Sequence, residues 1–400
     1  MVGTKIMEHN PPWGTRKIKI CYVANADAFV KFLLLPQLKF LVKEGYNVHA
    51  IFSNNKWADD IEKEGIKVKI IRIKRKITPL YDLITLYRLW SYFKKEKFDM
   101  VHTNNPKPGL LGQLAARMAG VPIIMNTVHG LYFQNNSSYL KRRFFIFIEK
   151  IAAKCSDLVF FVNKEDMETA LRERICSKKV IKYLGGGIDV EKFNPDIFSQ
   201  SFLAGKRGKL GIKPNYRVIG IVARLVREKG YLDLFRAFKA VLKTFPETTL
   251  LVIGPKEPEK TDAIKPEIVE SYGIENSVVF LGERADVDQI YPLMDVFVLP
   301  SYREGLGVAI LEAMAEKRPV VASNIRGCRE EIENGKNGIL VPIKNPKKLA
   351  EAIVYLFNNP GKAKELGDSA RIRVQRYFKE SLIFDRIKEA HQELFKRKGI

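Results

Sequence analysis

Residues 296–315 read Val-Phe-Val-Leu-Pro-Ser-Tyr-Arg-Glu-Gly-Leu-Gly-Val-Ala-Ile-Leu-Glu-Ala-Met-Ala. Four apolar residues, Val296–Leu299, make a short run that suits a strand buried on both faces, and Pro300 stops it. Val308–Ala315 is rich in helix formers. Between the two lies a loop carrying Glu304, Gly305, Leu306 and Gly307. A strand that runs through a glycine loop into a helix is half of a βαβ unit, and in such units ligands sit at the carboxyl ends of the strands. The fold follows from whether this unit repeats.

It repeats on both sides. Upstream, Val218–Val222 reads as a strand, followed by a loop and the helical stretch Tyr231–Leu242. Thr249–Val252, Val278–Leu281 and Val320–Ala322 read as further strands. The same alternation fills the N-terminal half, with strands at Ile18–Val23, Val48–Ile51, Val68–Ile71, Asp99–His102, Ile123–Asn126, Leu158–Val162 and Val180–Tyr183. Amphipathic stretches such as Leu80–Phe93 and Gly109–Ala119 fall between them. The expected class is α/β, with two Rossmann-like doubly wound domains. Four hundred residues also exceed what one core usually serves. The rhythm breaks over Leu184–Pro214, where Gly185-Gly186-Gly187, Pro195, Gly205, Gly208 and Pro214 predict a linker and hinge. The expected domains are therefore 1–194 and 195–377. The helical tail over 378–400 either packs on the second domain or crosses back to join the first.

Charge and cysteine content narrow the surroundings. Lys and Arg number 68 against 45 Asp and Glu, a net charge of +23. Residues 1–194 hold 33 basic and 18 acidic residues, so the excess of +15 there exceeds the +8 of the remainder. Lys67–Lys76 has six cations in ten residues. Such a surface attracts polyanions or an anionic membrane, and it also serves as a plain solvated face. The four cysteines stand far apart and outside any CxxC pattern, which suits a reducing compartment and no zinc site. The first residues lack the apolar run of a signal peptide, and no stretch reaches the roughly 18 apolar residues that span a bilayer.

The candidate site lies on the loops after the strands. Arg224 and Lys229 stand five positions apart on a loop entering a helix, a pattern suited to a diphosphate: a guanidinium forks onto phosphoryl oxygens and an ammonium adds a point charge. It also suits an ordinary solvated loop. Gly305 and Gly307 allow backbone amides to approach an anion. Glu312 follows Glu304 by eight positions, about two helical turns, which keeps both carboxylates on one side. Carboxylates accept paired hydrogen bonds from sugar hydroxyls. Leu311, Ala313, Met314 and Ala315 around Glu312 predict its burial. His129 closes a strand beside Gly130; His102 closes another and is weighed as structural. Asn25 and Asp27 follow the first strand, where acceptor contacts and simple turn or cap roles are equally open. No GxGxxG fingerprint stands there.

Arg224…Lys229-Gly230, Phe280-Leu281-Gly282 and the two-glutamate stretch Glu304…Glu312 resemble glycosyltransferase family 4, of GT-B fold. Gly327-Cys328-Arg329-Glu330-Glu331-Ile332, Asn337-Gly338 and Thr127-Val128-His129-Gly130 extend the resemblance over nearly the whole chain. It resembles the bacterial capsule, exopolysaccharide and O-antigen enzymes. The resemblance implies two domains facing each other across a cleft, the first binding acceptor and the second binding the nucleotide sugar, with a UDP-sugar as expected donor. It implies that Arg224 and Lys229 hold the donor diphosphate, Glu312 the ribose hydroxyls and Glu304 the transferred sugar. The amides of Leu306 and Gly307 stand near, and His129 faces the donor sugar. It further implies retention of configuration with neither metal nor cofactor; no Asp-x-Asp stands at a strand end. Gly254-Pro255 departs from the Gly-Asp of many relatives, and Ala24–Ala28 from their glycine-rich loop. The expected partners are a nucleotide sugar, a lipid-linked or other glycan acceptor and an anionic membrane surface, touched through Phe29–Leu35 and Tyr139–Ile148 from the cytoplasmic side. A nucleotide-sugar epimerase or hydrolase of the same fold is the alternative. Nucleic-acid binding lacks any motif beyond the charge.

Overall fold

The computed structural model describes residues 17–74, 76–133 and 138–400. The leader up to residue 16 and Arg75 of the basic run lie outside the described residues. The chain divides into two units, one reaching Leu184 and regaining Ile383–Ile400, the other spanning Gly185–Leu382.

The N-terminal unit is built on a seven-stranded parallel sheet: β1 Lys19–Val23, β2 Asn47–Phe52, β3 Lys67–Ile70, β4 Met100–Asn104, β5 Ile123–Val128, β6 Leu158–Phe161 and β7 Ile181–Tyr183, in the order β3-β2-β1-β4-β5-β6-β7. Alternation along β1 supplies two cores at once. Ile20 and Tyr22 join Leu38, Leu41 and Phe395 on one face, while Cys21 and Val23 join Leu89, Phe93 and Leu111 on the other. That double burial is why the strands read as continuous apolar runs. β3 is the exception. It is an edge strand, and its exposed Lys67 and Lys69 discourage pairing with a further strand. The helix Glu380–Lys398 carries a buried stripe of Ile383, Ile387, Ala390 and Leu394 that completes the first of these cores. The tail therefore crosses back.

The C-terminal unit repeats the winding with six parallel strands: β8 Arg217–Val222, β9 Thr248–Ile253, β10 Val278–Gly282, β11 Val296–Leu299, β12 Val320–Ser323 and β13 Ile339–Val341. Their order is β10-β9-β8-β11-β12-β13. The order reverses between β8 and β11, and the loops leaving those two strands therefore border the crevice where ligands enter such sheets.

Two expectations need correction. Leu184–Pro214 is no free linker. Val190 and Phe193 are buried in the core of the C-terminal unit, Gln200–Lys209 is helical, and Ile188 exchanges backbone hydrogen bonds with Phe378 and Glu380 at 2.8 and 3.1 Å. The division falls at Leu184/Gly185, ten residues before the expected 194/195 boundary. Phe29–Leu35 is no membrane-facing stretch either. A π-helical turn over Val30–Leu34 sends Val30, Leu34 and Leu35 into the core and leaves Phe32 as its exposed large residue.

Candidate functional site

The loops after β8 and β11 are locked together. Gly230 closes the short turn Arg227–Lys229 at φ +78°, and a Cβ there would lie 2.0 Å from the carbonyl oxygen of Pro300. Only glycine permits that approach. The Tyr302 amide donates to the Glu228 carbonyl at 2.8 Å, and Arg303 Nε donates to the Glu228 carboxylate at 2.8 Å. The Tyr302 hydroxyl donates to Asp233 at 2.7 Å. Side chains on either loop thus hold their positions relative to those on the other.

Lys229 Nζ stands 2.5 Å from Glu304 Oε1. This ion pair joins two residues read separately in the sequence, one for phosphate and one for sugar. Arg224, at the end of β8, pairs through Nη1 with Glu257 Oε2 at 2.9 Å. Glu312 lies half-buried on the helix Val308–Ala315 and accepts the Tyr291 hydroxyl at 2.6 Å. Burial pushes its carboxyl up to about 7, with the Tyr291 hydrogen bond opposing. Near neutrality such a group both donates and accepts, which suits paired hydroxyls.

The Gly307 amide does not point to open space. It donates to Glu331 Oε1 at 2.7 Å. Gly307 has φ −92°, so its glycine serves space rather than turn geometry: a Cβ would meet Ile310 at 2.9 Å and Glu331 Oε2 at 3.0 Å. Glu331 is fully buried and its Oε2 has no hydrogen-bond partner. Burial, with Glu304 nearby, raises its carboxyl well above the usual range. Leu306 closes against Gly186, where a Cβ would lie 1.8 Å from Leu306 Cδ2. The glycine run read as a linker is therefore part of the packing under the Gly305-Leu306-Gly307 loop.

In the N-terminal unit, His129 follows β5. Its Nε2 meets Asn104 Oδ1 at 2.9 Å, its ring stands edge-on to Phe29, and burial lowers its pKa to about 4. It is a neutral imidazole. Asp27 is buried and accepts the amides of Ala28 at 2.8 Å and Trp57 at 3.0 Å, a turn-fixing role. Asn25 lies beside it, with its carbonyl accepting the Ser53 amide at 3.3 Å. His102 is buried with Nε2 on Thr127 at 2.8 Å, as a structural histidine.

Three residues carry no signal in the sequence, Glu257, Tyr291 and Asp233, and a fourth, Glu331, stands in the family motif without an assigned role. Glu331 differs from Glu330 only in the helix face it occupies, and Glu257 lies 33 residues from its partner Arg224. No local pattern marks Glu257. Among the described residues, no group of three or more His, Cys, Asp or Glu side chains is arranged to hold a metal ion.

Residues 205–373 match the family model described as glycosyl transferases group 1, and residues 19–163 match that described as glycosyl transferase 4-like. The chain is 30% identical to the UDP-Gal:alpha-D-GlcNAc-diphosphoundecaprenol alpha-1,3-galactosyltransferase of Escherichia coli, over 86% of this chain and 89% of that one. It is 31% identical to the capsular polysaccharide biosynthesis glycosyltransferase CapM of Staphylococcus aureus, over 91% and 94%. Among solved structures, a glycosyltransferase from Rickettsia africae superposes with a TM-score of 0.78 at 25% identity, covering 95% of this chain and 99% of that one.

Proposed function

The chain belongs to the group 1 glycosyl transferases, and from that premise we propose that it moves a sugar from a UDP-sugar onto a lipid-diphosphate-linked glycan, retaining the anomeric configuration and using no metal ion. One observation carries this reading: the locked loops after β8 and β11 bring a cation, Lys229, and a carboxylate, Glu304, to the same spot, with Arg224 and Glu312 on the same two βα units. The two cations neutralise the diphosphate as it departs, the task a divalent ion performs elsewhere. Glu304 and Glu312 orient hydroxyls, so that the acceptor attacks from the face the diphosphate leaves and a departing phosphate oxygen takes its proton. A neutral His129 offers a hydrogen bond rather than a charge. The uridine nucleotide and the lipid-diphosphate acceptor rest on the likeness to the E. coli galactosyltransferase.

A peripheral seat on the cytoplasmic face of the cell membrane belongs to the same proposal. No helix among the described residues is long and apolar enough to cross a membrane. The helices Pro79–Glu96 and Tyr139–Cys155 both pack against Pro106–Ala119. Each turns an apolar stripe outward: Leu80, Leu83 and Tyr87 are 82%, 63% and 63% exposed, and Leu140 and Phe147 are 80% and 61%. Exposed Lys141 and Arg143 interleave with the second stripe. Apolar stripes among cations suit an anionic lipid surface.

The test is a panel of nucleotide sugars with polyprenyl-diphosphate N-acetylglucosamine as acceptor, run in EDTA, with the product anomer read by NMR. Transfer of an α-linked sugar from a UDP-α-sugar is expected. Strict dependence on added metal, or a β-linked product, contradicts the mechanism. Flotation with anionic and neutral vesicles tests the seat; failure to float with both refutes it.

A further inference from the structure

We propose that Glu257 is a built-in stand-in for the donor diphosphate, and that Lys260 is a third cation of the diphosphate site, released when the donor displaces Glu257 from Arg224. This rests on the function proposed above and adds two residues to it.

One carboxylate oxygen, Glu257 Oε2, receives both Arg224 Nη1 and Lys260 Nζ, each at 2.9 Å. A single anionic oxygen gripped by a guanidinium and an ammonium is the arrangement a phosphoryl oxygen takes in a cationic site. Arg224 is the residue whose position on the β8 loop points to the diphosphate. In this structure its charge is already spent on Glu257.

The backbone explains how the carboxylate is held there and how it leaves. The segment after β9 is zipped onto the β8 loop at both ends: the Leu225 amide donates to the Pro255 carbonyl at 3.0 Å, the Arg227 amide to Asp262 at 2.7 Å, and the Ile264 amide to Leu225 at 2.9 Å. Between these anchors Glu257 and Lys260 share one turn, closed by the Lys260 amide on the Glu257 carbonyl at 3.0 Å. A rotamer change at Glu257 frees Arg224 without unzipping the loops, and it leaves Lys260 beside the vacated oxygen position. A donor diphosphate then meets two positive charges in place of a neutralised pair. Before binding, the same carboxylate shields those charges from other anions, which disfavours adventitious phosphates.

Isothermal titration of the full chain with UDP and with uridine tests this. Glu257→Gln keeps the shape and removes the competing charge. It is expected to tighten UDP binding about three- to fivefold, the worth of a partly exposed ion pair, and to leave uridine unchanged. Lys260→Met is expected to weaken UDP about threefold, again with uridine unchanged. Equal or weaker UDP binding by Glu257→Gln overturns the stand-in role, since a carboxylate that holds the donor itself gives that result. UDP binding by Lys260→Met equal to wild type overturns the third cation. Wild-type protein that fails to bind UDP at all instead refutes the underlying donor assignment.

Discussion

Replacing Lys229 with Met separates what the Lys229–Glu304 pair does for folding from what it does for transfer. The side chains are 16% and 10% exposed, so the pair is largely withdrawn from water. Breaking a fully buried pair from one side costs about 3–5 kcal/mol because it strands a charge, and the remaining exposure lowers that to about 2 kcal/mol. For a unit of this size the melting temperature should fall by about 4–8 °C. Removing a cation from a departing diphosphate should lower kcat about 10²- to 10³-fold. Adding Glu304→Gln removes the stranded carboxylate. The double variant should regain more than half of the lost stability and none of the activity. Thermal melts of both single variants and the double one close the cycle, and initial rates with saturating donor give kcat. A Lys229→Met protein as stable as wild type, or a double variant that recovers transfer, refutes the reasoning.

Three further outcomes follow from the same structure. Gly230→Ala forces a Cβ against the Pro300 carbonyl at positive φ and should cost about 2–4 kcal/mol; an unchanged urea midpoint would contradict the locked loops. Burial holds the pKa of His49 and His129 down to about 4 and that of His391 to about 3, below the ordinary 6.5. Depressed values mean stability that is complete above pH 6.5 and lost as pH falls, by up to about 1.4 kcal/mol per pH unit for each histidine. His391→Phe, filling a site against Tyr46 and Phe395, should flatten the melting curve between pH 6 and 4.5; an unaltered slope would exclude His391 as a contributor. Glu316 is fully buried, neither carboxylate oxygen has a hydrogen-bond partner, and burial raises its pKa to about 8. A raised value means stability complete below pH 4.5 and lost as pH rises through 8. Glu316→Gln should therefore stabilise the protein at pH 8.5 and change little at pH 5; equal melting temperatures at both would refute it.

The strand Val296–Leu299 and the helix Val308–Ala315 were legible to the residue, because Pro300 and Gly307 bound them sharply and their faces are almost wholly apolar. β13 was not: three residues beside Gly338 carry no periodicity, and pairing with β12 alone makes them a strand. The glycines and prolines of Leu184–Pro214 predict a linker, but the anchoring by Val190 and Phe193 depends on a core built from distant strands. The cations and carboxylates of the candidate site stand out in the sequence by their spacing on the loops after two strands. Their present partners were not, because Arg224–Glu257 and Lys229–Glu304 span 33 and 75 residues. The membrane-facing candidate moved for the same reason: apolarity is visible in sequence, but whether Phe29–Leu35 or Leu80–Tyr87 faces outward is decided by packing.

In the proposed mechanism the C-terminal unit grips a uridine diphosphate sugar through the residues that follow β8 and β11. Calorimetric titration of UDP in EDTA, with wild type beside Glu312→Ala, tests it most directly. Metal-free binding by the wild type and at least tenfold weaker binding by the variant are expected, about 1.4 kcal/mol for lost contacts to ribose hydroxyls. Equal affinities for the two proteins, with the variant still folded, would contradict it.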